Sequence, residues 1–112
     1  VPPTSVTTTT NEDGSVTVGW LPVDGAKSYV VHYGDVGKTT NDATYMGYSE
    51  TTEFTLAAED VPAHTAGDKI YFYVQAFDVV GTGADDLAKA EELNAGNHTG
   101  SAWSKVSSVT FA

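Results

Sequence analysis

The side chains able to do chemistry in this chain are few and scattered: three histidines, fifteen acidic residues and no cysteine. Nucleophilic catalysis needs a nucleophile, a base in contact with it and a group that orients the base. His32 falls on a predicted strand, and its parity points it outward beside Val30, so it reads as a solvated surface residue. His64 and His98 fall in loops with no acid at a telling spacing. Neither Gly-x-Ser-x-Gly nor His-Glu-x-x-His occurs. The run Val80-Gly81-Thr82-Gly83-Ala84-Asp85-Asp86 imitates a dinucleotide fingerprint, because a strand precedes it and a helix follows. A pyrophosphate there would face two carboxylates, and no parallel strand-helix-strand unit surrounds it, so the run reads as a loop. No catalytic residue and no cofactor are expected, and the chain does not read as an enzyme.

Calcium would need clustered oxygen ligands. Glu12, Asp13, Asp35, Asp42 and the Asp85–Asp86 pair are available, and carboxylates from different turns could meet at one end of a β-structure. The EF-hand spacing is absent, and no metal site is assigned. Exposed aromatic residues are the better functional hint. Tyr45, Tyr48, Tyr71 and Tyr73 are expected to face solvent, with Trp103 at the entrance to the last strand. Flat rings with a polar edge can stack on sugars and still hydrogen-bond, so Tyr71, Tyr73 and Trp103 form a candidate glycan or protein contact. The competing structural role pairs Tyr71 and Tyr73 across strands and packs Trp103 on the inserted helix. Asn97-His98-Thr99 matches a glycosylation sequon, a short and frequent pattern.

The elements that must position these residues announce themselves by a two-residue apolar beat. It runs through Val16, Val18 and Trp20; Tyr29, Val31 and Tyr33; Phe54 and Leu56; Ile70, Phe72, Val74 and Ala76; and Val109 and Phe111. Alternation puts each set on one face of a strand. Several half-buried strands with short polar gaps predict a β-sandwich or small barrel. The predicted strands cover 6–10, 15–21, 28–33, 44–49, 52–56, 69–78 and 104–112, with residues 1–5 as an extended lead-in. Trp20, Tyr29, Val31, Tyr33, Leu56, Phe72 and Val74 are the expected core. The segment 79–103 departs from the pattern. Helix formers fill about 85–95, acids stand at the start and Gly96 can end it. Asp85 and Lys89 are spaced as an i,i+4 pair. So short a helix must lean on the sandwich, and Leu87 and Leu93 are the expected contacts, either with the sandwich or with a neighbouring domain or subunit.

At 112 residues the chain is read as a single domain, 1–112, able to bury one core. The formal charge is −10, and all five basic residues are lysines. That balance repels phosphate backbones, so neither nucleic acid nor an anionic membrane is an expected partner. No apolar stretch approaches the roughly 20 residues that span a bilayer, and membrane insertion is not expected. The chain opens at Val1, which suggests a domain of a longer polypeptide.

With the strands placed, the chain resembles a fibronectin type III domain over nearly its whole length. Trp20 in Val16-Thr-Val-Gly-Trp-Leu-Pro looks like the family's buried tryptophan. Tyr29-Val-Val-His-Tyr33 resembles its third-strand pattern. Val61-Pro62 and Gly67-Asp68 resemble the element before its sixth strand, with Ala63 to Ala66 inserted. Val74-Gln-Ala-Phe-Asp78 looks like the end of that strand, and Ser101-Ala-Trp-Ser104 with Ser108-Val-Thr-Phe111 like the last one. The resemblance implies an all-β, seven-stranded antiparallel Ig-like sandwich, here with a short helix between the last two strands. Two departures stand out. Ile70 occupies the position where the family has a corner tyrosine, so either the corner is held otherwise or the register moves by one and Tyr71 takes that role; the parity of Phe72 and Val74 favours Ile70. The segment between Asp78 and Ser101 is also unusually long. With no arginine present, an Arg-Gly-Asp motif is impossible. Gly81-Thr-Gly83 and Gly100-Ser-Ala-Trp-Ser104 look more like bacterial or phage relatives. These imply an extracellular spacer or adhesion module of a surface or tail protein, in contact with other domains or subunits and with cell-surface polysaccharide. The alternative they imply is an accessory carbohydrate-binding domain of a secreted glycoside hydrolase.

Overall fold

The computed structural model describes residues 2–38, 44–96 and 98–111. In chain order they form β1 (Thr7–Thr10), β2 (Val16–Gly19), β3 (Ser28–Tyr33), β4 (Tyr45–Ser49), β5 (Glu53–Leu56), β6 (Lys69–Phe77), α1 (Asp86–Leu93) and β7 (Ser107–Thr110). A single 3-10 turn at Ala58–Asp60 follows β5. The strands make two antiparallel sheets, β1-β2-β5 and β4-β3-β6-β7. The fold is therefore a seven-stranded sandwich with one short helix between β6 and β7, and not a closed barrel.

The inner faces carry the apolar beat. Val16, Val18, Trp20 and Leu56 from one sheet meet Tyr29, Val31, Tyr33, Ile70, Phe72, Val74, Val109 and Phe111 from the other. Trp20 is only 6% exposed and meets the edge of Tyr29, with ring centroids 5.2 Å apart and planes at 61°. The Tyr29 hydroxyl reaches the loop beyond and accepts the Val23 N–H at 3.1 Å, which fixes how the chain leaves β2. Ile70 is fully buried and Tyr71 lies on the outer parity opposite Ser108, so the register with Ile70 inward is the one adopted.

The corner before β6 is held without a tyrosine. The Asp68 carboxylate accepts the Thr65 N–H at 2.7 Å and its hydroxyl at 3.1 Å. Gly67 N–H donates to the Phe111 carbonyl, and Phe111 N–H donates to that of Asp68. The His64 ring stacks on Phe111 at 3.6 Å, with Nδ1 donating to the Pro62 carbonyl. Hydrogen bonds of the loop to itself and to the last strand thus do the work of the missing hydroxyl.

The outer face of the four-stranded sheet departs from simple alternation. Every residue of β3 is buried, including Val30 and His32 on the outward parity. Ala90 and Leu93 of α1 cover Val30, Tyr48 and Phe77, and make a second small core outside the sandwich. The chain then returns along β6 from 101 to 104 before β7 begins. Ser101 and Ser104 donate their N–H groups to the carbonyls of Ala76 and Val74. Their hydroxyls accept the N–H groups of Ala76 and Val74 at 2.9 and 2.8 Å, where a regular strand would offer carbonyls. This is why β7 begins at Ser107 and not at 104: the paired serines satisfy the β6 edge without a regular ladder.

Register also sets the path of the chain. Thr7, the start of β1, pairs with Gly19, and Glu53 pairs with Gly19 from the other side, next to the short link from Ser49. Thr110, the end of β7, pairs with Lys69, at the end of the sheet where Tyr33 meets Phe72 and Tyr45. The polypeptide enters the sandwich at one end and leaves it at the other.

Trp20→Ala should cost about 3–5 kcal/mol, the usual range for emptying a buried aromatic site, measured by urea unfolding followed by circular dichroism. Ser104→Ala should cost about 1–3 kcal/mol in the same assay, because it leaves the Val74 N–H buried without a partner.

Candidate functional site

The insert is built as a clasp. Asp85, in extended conformation, caps α1 by accepting the Ala88 N–H at 2.8 Å. At the other end the Asn94 side chain donates to the Ala90 carbonyl. Glu92 joins the two limbs of the insert. One carboxylate oxygen accepts the Thr82 N–H and hydroxyl, both at 3.2 Å, and the other accepts His98 Nε2 at 2.6 Å. Desolvation pushes this carboxyl up, but the hydrogen bonds from His98 and Thr82 outweigh it and hold it below the usual carboxylate range. The expectation of a His98 without an acid partner is corrected here: its partner stands six residues away, across the helix end.

Gly81 and Gly83 are explained by the same packing. A Cβ on Gly81 would lie 2.7 Å from the Lys89 carbonyl oxygen, and one on Gly83 would lie 2.6 Å from Ala88 Cβ. The glycines let the loop touch the helix, and the Gly81 N–H donates to the Tyr48 hydroxyl at 3.0 Å. Lys89 sits over the Tyr48 ring at 5.5 Å, not against Asp85, whose carboxylate is engaged in the cap.

The expected aromatic contact surface is largely folded in on itself. Tyr73 is 7% exposed and Tyr48 is 5% exposed, so neither faces solvent. Trp103 packs not on the helix but on His32, with ring centroids 3.9 Å apart and nearly parallel planes, and its ring is tilted against that of Tyr73, with centroids 5.6 Å apart. Tyr73 pairs across the ladder with His32, and Tyr71 with Ser108. Tyr71 and Trp103 remain half-buried. His32 is buried, not solvated. Its Nε2 donates to the Gln75 side-chain oxygen at 3.0 Å, and the Gln75 amide donates to the Ser101 carbonyl. Burial lowers the His32 pKa from its ordinary 6.5, and the hydrogen bond to Gln75 opposes this only in part.

The two leucines separate. Leu93 is buried against the sheet and is not available as an external contact, whereas Leu87 is 51% exposed. Leu87 instead borders a groove of about 630 Å³ along the flank where β4 and β5 lie side by side. Tyr45, Met46 and Phe54 line it from the strands, and Asp60, Asp86 and Glu91 stand around it. Tyr45 is held upright by its hydroxyl, which donates to Asp35 at 3.0 Å. The hydroxyl of Tyr33 at the groove wall is pushed up to about 12, mainly by burial and then by the Asp60 and Tyr45 charges. Gly47 makes this flank possible, since a Cβ there would lie 2.3 Å from the Phe54 ring. A lone glycine inside a strand pattern was the available sequence signal for that close approach. No group of three or more metal-ligating side chains comes together among the described residues, and Asp42 lies outside them. No helix among them is long and apolar enough to cross a membrane.

The buried His32 predicts an acid-sensitive fold. The folded state holds the imidazole below 6.5, so the unfolded chain takes up the proton first. The stability His32 contributes is complete above that value and is lost as pH falls through it towards the lower folded value. Urea unfolding at about pH 7.5 and pH 5 should show this loss, and His32→Asn should flatten it over that interval.

Neither a family model nor a curated protein matches the sequence. Solved structures do. The crystal structure of FN3tt superposes with a TM-score of 0.59 at 14% identity, covering 97% of this chain and 90% of that one. The structure of an FN3tt mutant gives 0.56 at 12% identity, covering 97% and 92%. At such identity the likeness is one of architecture, and together with the two sheets and their strand order it makes this a fibronectin type III-like β-sandwich.

Proposed function

We propose that the chain is a non-catalytic spacer and adhesion module of a larger extracellular protein, of the bacterial surface or phage tail kind. The observation that carries the spacer role is the path of the polypeptide, with β1 entering at one end of the sandwich and β7 leaving at the other. Neighbours joined through these ends fall into line, with the flanks of each module left free. The negative charge suits such an exposed part, because it keeps copies apart and anionic polymers away. Weak glycan contact belongs to the same reading and rests on Tyr71 and on the uncovered part of Trp103. The accessory polysaccharide-binding alternative is weakened by the burial of Tyr73, which removes the middle ring of its aromatic surface.

Two copies joined in tandem through residues 1–5 should give, by small-angle X-ray scattering, a maximum dimension roughly twice the 39 Å long axis of one domain. A particle little longer than one domain would defeat the spacer reading. Retention on insoluble cell wall, weakened by Trp103→Ala, is the outcome expected for the glycan contact, and no retention at any salt would remove it.

A further inference from the structure

We propose that the groove along the β4–β5 flank docks an extended cationic peptide segment of a partner protein. In this arrangement an apolar side chain seats on Tyr45, Met46 and Leu87, and lysine or arginine side chains reach Asp60, Asp86 and Glu91. The inference goes beyond the spacer reading and does not depend on it, since modules could be strung in line with the groove empty.

The backbone invites an extended occupant. Among the described residues β5 pairs only with β2, and β4 only with β3, so each presents a free strand edge on this flank. Free edges recruit strands, and main-chain hydrogen bonds then supply affinity while side-chain pockets supply choice. On the opposite flank the Thr8 hydroxyl bridges the sheets by donating to the Ser108 carbonyl at 2.6 Å, and the cavity of about 450 Å³ beside that tie, between residues 2–6 and Trp103, Lys105 and Val106, is lined by a lysine and by no carboxylate.

The groove is also apolar where it is open. Leu87 and Tyr45 are 51% and 41% exposed and are the largest uncovered apolar groups on this flank. Its volume of about 630 Å³ lies within the range of sites that hold a few side chains. Its walls are fixed before any partner arrives, by the Tyr45–Asp35 hydrogen bond and by the Phe54 ring laid on Gly47. Pre-organised walls lower the ordering cost of binding.

Charge selects the partner. Every ionisable carboxylate or amine lining the groove is a carboxylate: Asp60, Asp86 and Glu91. Among the described residues none of the three is in an ion pair. Lys89, one turn along the helix from Asp86, lies over the Tyr48 ring and shares with Asp86 a separate depression beside Glu50, outside the groove lining. An acidic rim around an apolar floor complements a segment in which basic and apolar side chains alternate, the pattern an extended strand displays on one edge and its two faces. A second copy of this chain, at −10, is repelled from the same surface.

The test uses the 15N-labelled chain and two blocked hexapeptides with the same apolar residues, one with lysine and one with glutamate at the alternate positions. The lysine peptide should shift amides of β4, β5 and the first turn of α1 in a saturable way. Binding should weaken about tenfold between low salt and about 0.5 M salt. The glutamate peptide should shift nothing. Leu87→Lys should weaken binding about tenfold, and Leu21→Lys, at an exposed site away from the groove, should leave it unchanged. An unchanged spectrum away from the groove shows that each variant is folded. Shifts spread over the whole acidic surface, equal binding of the glutamate peptide, indifference to Leu87→Lys, or groove shifts produced merely by concentrating the free protein would each overturn the proposal. None of these results bears on the tandem scattering experiment, so the two readings fail separately.

Discussion

The central strand of the four-stranded sheet must be covered on both faces, and most of the structure follows from that requirement. β3 lies between β4 and β6, and all six of its residues are buried. Its inner face is covered by the other sheet, as in any sandwich. Its outer face carries Val30 and His32, beside Tyr48 and Phe77. Left open, this face would expose a contiguous apolar patch. The insert between β6 and β7 removes it, with Ala90 and Leu93 over one half and Trp103 over the other. The dependence is mutual. A helix of eight residues is not stable alone in water, so α1 exists because this face receives it. The Glu92 clasp and the close approach at Gly81 and Gly83 are the local devices that hold the helix at the right height.

The inner core was legible because a two-residue period carries it. Val16, Val18 and Trp20 or Ile70, Phe72 and Val74 need only a strand to become a face, and the serine pair at 101 and 104 was visible as a pattern before its hydrogen-bonding role was. The outer face was harder to read, because period-two reasoning hands the second parity to water by default. His32 is the clearest case. Its polar type and outward parity agreed on exposure, and only the return of the chain at Trp103 reverses this. Tyr71 and Tyr73 share a parity and meet different fates, since Tyr73 lies opposite His32 beneath Trp103 while Tyr71 lies opposite Ser108 nearer the margin. Phe77 and Val30, apolar on the outer parity, were the signal that something would cover them.

The insert shows a second limit. Linear spacing finds partners along one helix, and the Glu92–His98 contact crosses a helix end, so no spacing rule points to it. Leu87 and Leu93 could not be ranked from composition alone. Leu93 shares a face with Ala90 and is buried, whereas Leu87 lies at the margin of that face and borders the groove. The corner before β6 was a true alternative in the sequence, and it is settled by a set of loop hydrogen bonds and a histidine–phenylalanine stack that no short motif encodes.

The two flanks of the sandwich are unlike, and the difference follows from topology. On one flank, β1 and β7 run the same way in different sheets and are tied by Thr8 to Ser108, with a cavity beside the tie between residues 2–6 and Trp103, Lys105 and Val106. On the other, β4 and β5 are consecutive in the chain but belong to opposite sheets, so the link between Ser49 and Glu53 joins them without making them partners. The ring of Phe54 resting on Gly47 fills part of that flank, and the rest stays open beside Leu87. Chain entry and exit use the ends of the molecule and leave this flank clear. A module strung through its ends therefore keeps the β4–β5 flank presented sideways, with the insert that seals the outer face also forming a wall of the groove. The insert that completes the fold thus also supplies the Asp86, Leu87 and Glu91 wall of a groove whose other walls come from β3, β4 and β5.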